Sequence, residues 1–198
     1  SKERTLRNMV PQPVALDVGP FGWDRRHKGT LRNVGEGSRR KILVVKDRKM
    51  KNIFSHPVRA KGAAGETWIA NRICKDIRGL GYNKIIIKCD QEPSIVEIQN
   101  EVIRRREAET IPENSPKGES QSNGDIENAI KQVEGQIRTM KIALESRLQV
   151  KIGSGHPIWP WLIEEAGAIL SRCTVGKDGK TPQERLKGKR SSLSLIHI

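Results

Sequence analysis

Lys84-Ile85-Ile86-Ile87-Lys88-Cys89-Asp90 is the stretch whose reading decides the fold. The apolar run reads as a buried strand over 84–89 that ends on a carboxylate. Working upstream, Trp68, Ile69, Ile73, Ile77 and Leu80 recur at three- and four-residue steps, which predicts a helix over Glu66–Leu80 closed by Gly79 and Gly81. Lys41–Lys46 and Asn52–Val58 are strand-like runs joined by the polar segment 47–51, an antiparallel hairpin. Pro13–Val18 supplies a first short strand, with Asp17 near its end. Working downstream, Glu92-Pro93 suits the start of a second helix, whose stripe Ile95, Val96, Ile98, Val102 and Ile103 ends at Arg104-Arg105-Arg106. Thr110–Ile111 is expected as a last edge strand and Asn114–Asn123 as a mobile polar loop. From about Asp125 to Leu148, Ile126, Ile130, Val133, Ile137, Met140, Leu144 and Leu148 recur at steps of four and three, a long amphipathic helix. A helical tail over Pro157–Arg172 follows. The order of three strands, helix, strand, helix, edge strand and long helix predicts a mixed α/β fold around a central sheet.

Asp90 ends a strand and Glu127 opens a helix, with Ser120-Gln121-Ser122-Asn123-Gly124 just ahead of the glutamate. Strand ends and helix starts are where a rigid scaffold displays carboxylates. Two such groups, joined by a third from another strand, suit a pair of divalent cations about 4 Å apart for phosphodiester chemistry. Read singly, Asp90 is a strand-terminal turn aspartate and Glu127 a favourable acid in a first helical turn.

Charge distribution fits a polyanionic partner. The formal net charge is +14 over 198 residues. Residues 1–61 carry 16 Lys or Arg against 5 Asp or Glu, residues 172–190 carry 7 against 2, and the middle, with both singled-out carboxylates, is slightly acidic. Lysine and arginine displace counterions from phosphates, so basic flanks around an acidic centre suit a nucleic acid brought up to bound metal. A solvated basic surface explains the charge equally well, because aromatic residues for base stacking are scarce. The length fits one domain. It divides into a basic arm (1–12), a core (13–172) with a long Gly- and Arg-rich insert at 19–40, a basic C-terminal segment (173–190) and a tail (191–198) unrelated to the fold. No apolar stretch is long enough to span a bilayer, and Ser1-Lys2-Glu3-Arg4 lacks a secretory apolar centre. Cys74, Cys89 and Cys173 are odd in number and far apart, so neither a disulfide frame nor a zinc knuckle is expected. A soluble protein of a reducing intracellular compartment is the expectation.

The element order, Asp90 after its strand, Ser120–Gly124 before Glu127, and Thr181-Pro182-Gln183-Glu184-Arg185-Leu186 near the end together resemble a retroviral or retrotransposon integrase catalytic core. The resemblance covers roughly residues 10–190. It implies a ribonuclease H-like mixed sheet, with three antiparallel strands and then parallel strands, flanked by helices. It also implies three acids holding Mg²⁺ or Mn²⁺, an enzyme that trims element DNA ends with water and joins the 3′-hydroxyl to target DNA, action in the nucleus, and a homo-oligomer. A zinc module ahead of the core and a small β-barrel after it are not recognisable, which reads as a fragment of a longer polyprotein.

Carried over by residue, Asp90 matches the second metal ligand and Glu127 the third. For the first, the candidates are Asp17, Asp24 and Asp47. In the implied sheet the strand ending at Asp47 runs antiparallel to that ending at Asp90, so Asp47 lies at the wrong edge. Asp17, on a strand beside and parallel to the Asp90 strand, is the choice, and Val14-Ala15-Leu16-Asp17 resembles the family's first acidic strand. Val18-Gly19-Pro20 is expected to interrupt that strand, where the family usually continues with an aromatic residue. Asp17 and Asp90 would share one ion and Glu127 would complete the second. Lys131, one turn beyond Glu127, either pairs with the glutamate or meets a DNA phosphate. Arg138, Gln121 and Asn123 are the other candidate DNA contacts, although turn-forming polar residues explain the last two nearly as well. Glu134 stands where the family often has a basic residue. Trp159 and Trp161 read as core anchors, and His56 and His156, without partners at zinc spacing, as surface or loop residues. Two alternatives stay open: a catalytically inactive DNA-binding remnant of a mobile element, and a dimerisation scaffold built on the 126–148 stripe.

Overall fold

The structure, a computed structural model, describes residues 12–21, 40–58, 63–89, 92–114 and 120–189. Five strands, β1 (Gln12–Phe21), β2 (Arg40–Asp47), β3 (Ile53–Val58), β4 (Ile85–Cys89) and β5 (Thr110–Asn114), form one sheet in the order β3-β2-β1-β4-β5. β2 pairs antiparallel with both β1 and β3, whereas β1, β4 and β5 run parallel. Among the described residues five helices accompany it: α1 (Ala63–Leu80), α2 (Pro93–Arg105), α3 (Ser120–Leu148), α4 (Trp159–Cys173) and α5 (Pro182–Lys187).

The pleat sorts the core into two layers. In β2, Leu43 and Val45 join Val14, Ile73, Ile77 and Ile87 under α1 and α2, and Ile42 and Val44 join Ile126, Val133, Ile137 and Leu162 under α3 and α4. Alternate residues point to opposite faces, so an unbroken apolar run such as Ile42–Val45 marks an interior strand covered on both sides. Two buried polar side chains bridge elements of the first layer. Gln99 Nε2 donates to the Ile87 carbonyl at 2.9 Å, and Tyr82 donates its hydroxyl to Asp47 Oδ2 at 3.0 Å.

α4 shields the outer rim of β3. Ser171 Oγ accepts from Ile53 N at 2.8 Å and donates to Ile53 O at 2.9 Å, taking up the two backbone groups that β2 leaves unpaired. Ser55 Oγ donates to Ile163 O at 2.5 Å, and Gly167 N donates back to it at 3.1 Å. A Cβ at residue 167 would stand 2.6 Å from Ser55 Oγ, so helix and strand backbones touch where only glycine fits.

Several boundaries differ from expectation. β1 runs on through Val18-Gly19-Pro20 instead of stopping there. β4 pairs only as far as Leu16, so the distal half of β1 has β2 alone beside it, and proline is tolerated where one side of a strand is an edge. Of the expected insert, Gly19–Phe21 and Arg40 are strand, and 22–39 lies outside the described residues. α3 begins at Ser120, so Ser120–Gly124 is helix and not a turn ahead of one. No proline lies between Pro116 and Pro157 to stop the helix extending back from its packed stripe, and one glycine costs about 1 kcal/mol, which a 29-residue helix absorbs. Asn114 is strand, and 115–119 of the expected loop lies outside the described residues.

The stretch beyond Cys173 adds a helix to the same body. Thr181 caps α5 through a reciprocal pair, in which Glu184 N donates to Thr181 Oγ1 at 3.2 Å and Thr181 N to Glu184 Oε2 at 2.6 Å. Pro182 occupies the first turn, where a missing N–H is harmless, and Gly188 closes the helix at φ 72°. Leu186 packs against the core under α1.

Candidate active site

The chain leaves β1 toward β2 on one side and leaves β4 toward β5 on the other, so two adjacent parallel strands have diverging connections. In open α/β sheets the crevice beyond the carboxyl ends of such strands is the natural ligand site. The last paired residues of β1 and β4 are Leu16 and Cys89. Asp17 follows the first, on β1 opposite Val44 of β2. Asp90 follows the second in sequence and lies outside the described residues. Asp24, too, lies outside them.

α3 crosses the sheet face over β1 and β2. Its rotation is fixed by a half-buried anchor: Lys46 on β2 donates to Asp125 Oδ1 at 2.8 Å and to the Asp125 carbonyl at 3.3 Å. Burial opposes ionisation of Asp125, but the hydrogen bond and charge of Lys46, with Lys51 and Arg48 beyond, hold its carboxyl below the usual range. At about 100° per residue, Asp125, Asn128 and Gln132 share the flank over β2, and Glu127, Lys131, Glu134 and Arg138 share the opposite flank. With one flank committed to β2, the Glu127 flank is the one turned toward β1 and β4. Glu127 is the eighth residue of α3 and exposed, beyond the first turn, so the helix-dipole explanation of an acid at that position does not apply.

The other expected site residues fall as follows. Lys131 is exposed and makes no ion pair among the described residues, so the expected pairing with Glu127 is not formed. Arg138 lies 3.9 Å from Glu134, one turn before it. Gln121 and Asn123 lie in the first turns of α3 and are placed by backbone alone. Asp47 is excluded as a ligand by its own contacts. It is fully buried and accepts from Lys49 N at 2.9 Å, Met50 N at 3.1 Å and the Tyr82 hydroxyl, and so ties off the β2–β3 turn.

Two expectations about the remaining polar and aromatic residues are corrected. Trp159 is 4% exposed and donates Nε1 to the Gly153 carbonyl at 2.8 Å, but Trp161 is 52% exposed, because two residues along a helix turns a side chain away from the face just buried. His56 is a buried residue and not a surface one. On the β3 rim its Nε2 lies 2.5 Å from Asp76 Oδ2 of α1, and Nδ1 lies 3.8 Å from Glu164 Oε1 of α4, which Arg72 holds at 2.8 Å. His156 is exposed, in the loop before α4.

Among the described residues no group of three His, Cys, Asp or Glu side chains is gathered closely enough to chelate a metal. The donor set drawn from the sequence nevertheless fits Mg²⁺ or Mn²⁺ in kind, since Asp17, Asp90 and Glu127 are hard oxygen donors from three separate segments of the chain. Sequence reading missed the Lys46–Asp125 anchor, whose members stand 79 positions apart. It also missed the work of Arg185, although the capping signature around Thr181 was there to find it.

Solved structures give the architecture a class. The chain superposes on the catalytic core domain of BIV integrase with a TM-score of 0.56 at 14% identity, over 89% of this chain and 93% of that one. It superposes on the HTLV-2 integrase catalytic core domain in complex with magnesium, in its trimeric form, at 0.59 and 12%, over 90% and 99%. Against a chain of the simian T-cell lymphotropic virus intasome in complex with PP2A regulatory subunit B56 gamma, the values are 0.60 and 14%, over 90% and 55%. No protein-family model and no curated protein matches the sequence. The protein has the fold of a retroviral integrase catalytic core.

Proposed function

We propose that the chain is the catalytic core of an integrase-like polynucleotidyl transferase that processes the DNA ends of a retroelement and joins them to target DNA. The observation that carries the reading is the parallel pairing of Leu16 with Cys89 where β1 and β4 diverge, beside the free flank of α3 that bears Glu127. Asp17, Asp90 and Glu127 are the assigned metal ligands. A pair of divalent ions, when bound, offsets the negative charge that builds on the attacking and leaving oxygens.

The chain's own residues do the rest. Three carboxylates from separate segments would hold those ions, and Lys131 and Arg138, farther along the Glu127 flank, would meet backbone phosphates of the strand being cut. Gln121 and Asn123 contact the DNA end at the start of α3. The basic flanks supply sequence-independent attraction. The protein acts as a homo-oligomer, a reading supported by the dimeric and trimeric forms of the HTLV-2 core, and its place of action is the nucleus, where target DNA lies.

Nicking and joining of end-labelled DNA in Mg²⁺, by the purified chain and by Glu127→Gln, tests this. Activity in the native chain and a loss in the variant greater than the roughly 10–100-fold cost of an outer-shell partner is expected, with DNA binding retained. Two equally silent proteins that still bind DNA with a steep salt dependence would establish an inactive remnant instead.

A further inference from the structure

On the far flank of α3 from Glu127 lies a groove of about 660 Å³, walled by the β2–β3 turn, by α3 and by the turn between α4 and α5. Lys49 and Lys51 line one wall, Asn128 and Gln132 another and Lys177 the third, and all five are exposed. The three lysines make no ion pair among the described residues.

Both lysine-bearing turns are held rigidly. Asp47 accepts the backbone N–H groups of Lys49 and Met50 and so fixes the first. The second is closed by Gly176 N to Lys180 O and Gly179 N to Gly176 O, both 3.0 Å, with Gly179 at φ 73°. Arg185 braces the two together: its Nε donates to Asp178 Oδ2 at 2.9 Å and Nη2 to Asp178 Oδ1, while Nη1 donates to Met50 O at 3.3 Å. A Cβ at Gly176 would fall on that guanidinium. Free cations on pre-set turns lose little entropy on binding, which is the condition for useful affinity.

We propose that this groove is a docking site for a row of phosphate groups, separate from the metal cleft and independent of it. The floor, Ile53, Leu170 and Pro182, carries no aromatic ring, so bases have nothing to stack on and contact is through phosphates without regard to sequence. The amides of Asn128 and Gln132 donate to phosphate oxygens between the lysines. The row is either a nucleic-acid backbone or a free polyphosphate.

Fluorescence anisotropy with a labelled random-sequence DNA duplex and with labelled tripolyphosphate, both in EDTA, separates these sources. In Lys49→Glu with Lys177→Glu, duplex affinity is expected to fall at least tenfold at low salt, with the salt slope smaller by about 2 for two lost phosphate contacts. Lys75→Glu, on α1 across the sheet, is expected to change neither. If tripolyphosphate binds the native chain more tightly than the duplex does and is lost in the variant, a free polyphosphate is the occupant; if the duplex binds more tightly and its affinity falls, a nucleic-acid backbone is. Unchanged binding of both probes overturns the proposal, as does polyglutamate that binds the groove more tightly than either. Amide shifts in the unsubstituted chain guard against a misfolded variant: tripolyphosphate or duplex must perturb Lys49, Lys51, Asn128 and Lys177, and perturbation confined elsewhere rejects the site.

Discussion

Asp47 illustrates how one residue's chemistry separates a structural from a catalytic carboxylate. Burial pushes its carboxyl above the ordinary range, against the downward pull of the Lys49 amide, the Tyr82 hydroxyl, the Met50 amide and the Lys49 charge. The folded chain therefore binds that proton more tightly than the unfolded chain. Its contribution is fully present below the unfolded carboxylate value and is lost as pH rises through the raised folded value. In urea titrations, the stability advantage of the native chain over Asp47→Asn is expected to grow as pH falls through that window; a constant or shrinking difference contradicts the assignment. Strand direction already argues against Asp47 in the sequence, but its Tyr82 donor is invisible there, since Tyr82 stands 35 positions away. His56 was misjudged for the same reason: its partners Asp76 and Glu164 come from helices on either side of the β3 rim.

At the scale of elements, periodicity carried most of the fold. The 3.6-residue stripes of α1, α2 and α3 and the strand runs of β2, β3 and β4 stand within a few residues of where they were expected, because those segments must bury one face whatever their neighbours do. Ends are set by tertiary context, which is why α3 starts at Ser120 although Ser, Asn and Gly favour turns. The near-identical sequence surroundings of Trp159 and Trp161 likewise hide opposite fates. Trp159→Ala is expected to cost about 3–5 kcal/mol as a core truncation. Trp161→Ala should stay within about 0.5 kcal/mol, as for surface substitutions. Urea midpoints for the two variants check this, and equal losses would contradict the placement of α4.

For the whole molecule, the candidate site is legible in the sequence as two strands and a helix, each bearing an acid. What the sequence lacks is the residue-by-residue register of β1 on β4 and the Lys46–Asp125 anchor that sets which flank of α3 faces β2. A site assembled from segments that meet only on folding binds its ligand in the native state alone. Mg²⁺ at about 100 times its dissociation constant is therefore expected to stabilise the chain by roughly 2.7 kcal/mol. Differential scanning calorimetry of the native chain beside Glu127→Gln reads this as an upward shift in Tm that the variant mostly lacks; equal shifts would detach metal binding from Glu127.

Both outer strands of the sheet carry an obstacle to recruitment of a further strand. On one, Ser171 occupies the amide and carbonyl of Ile53; on the other, Pro112 interrupts the row of donors along β5. Open-ended fibrillar growth through edge-to-edge pairing of copies is thereby disfavoured.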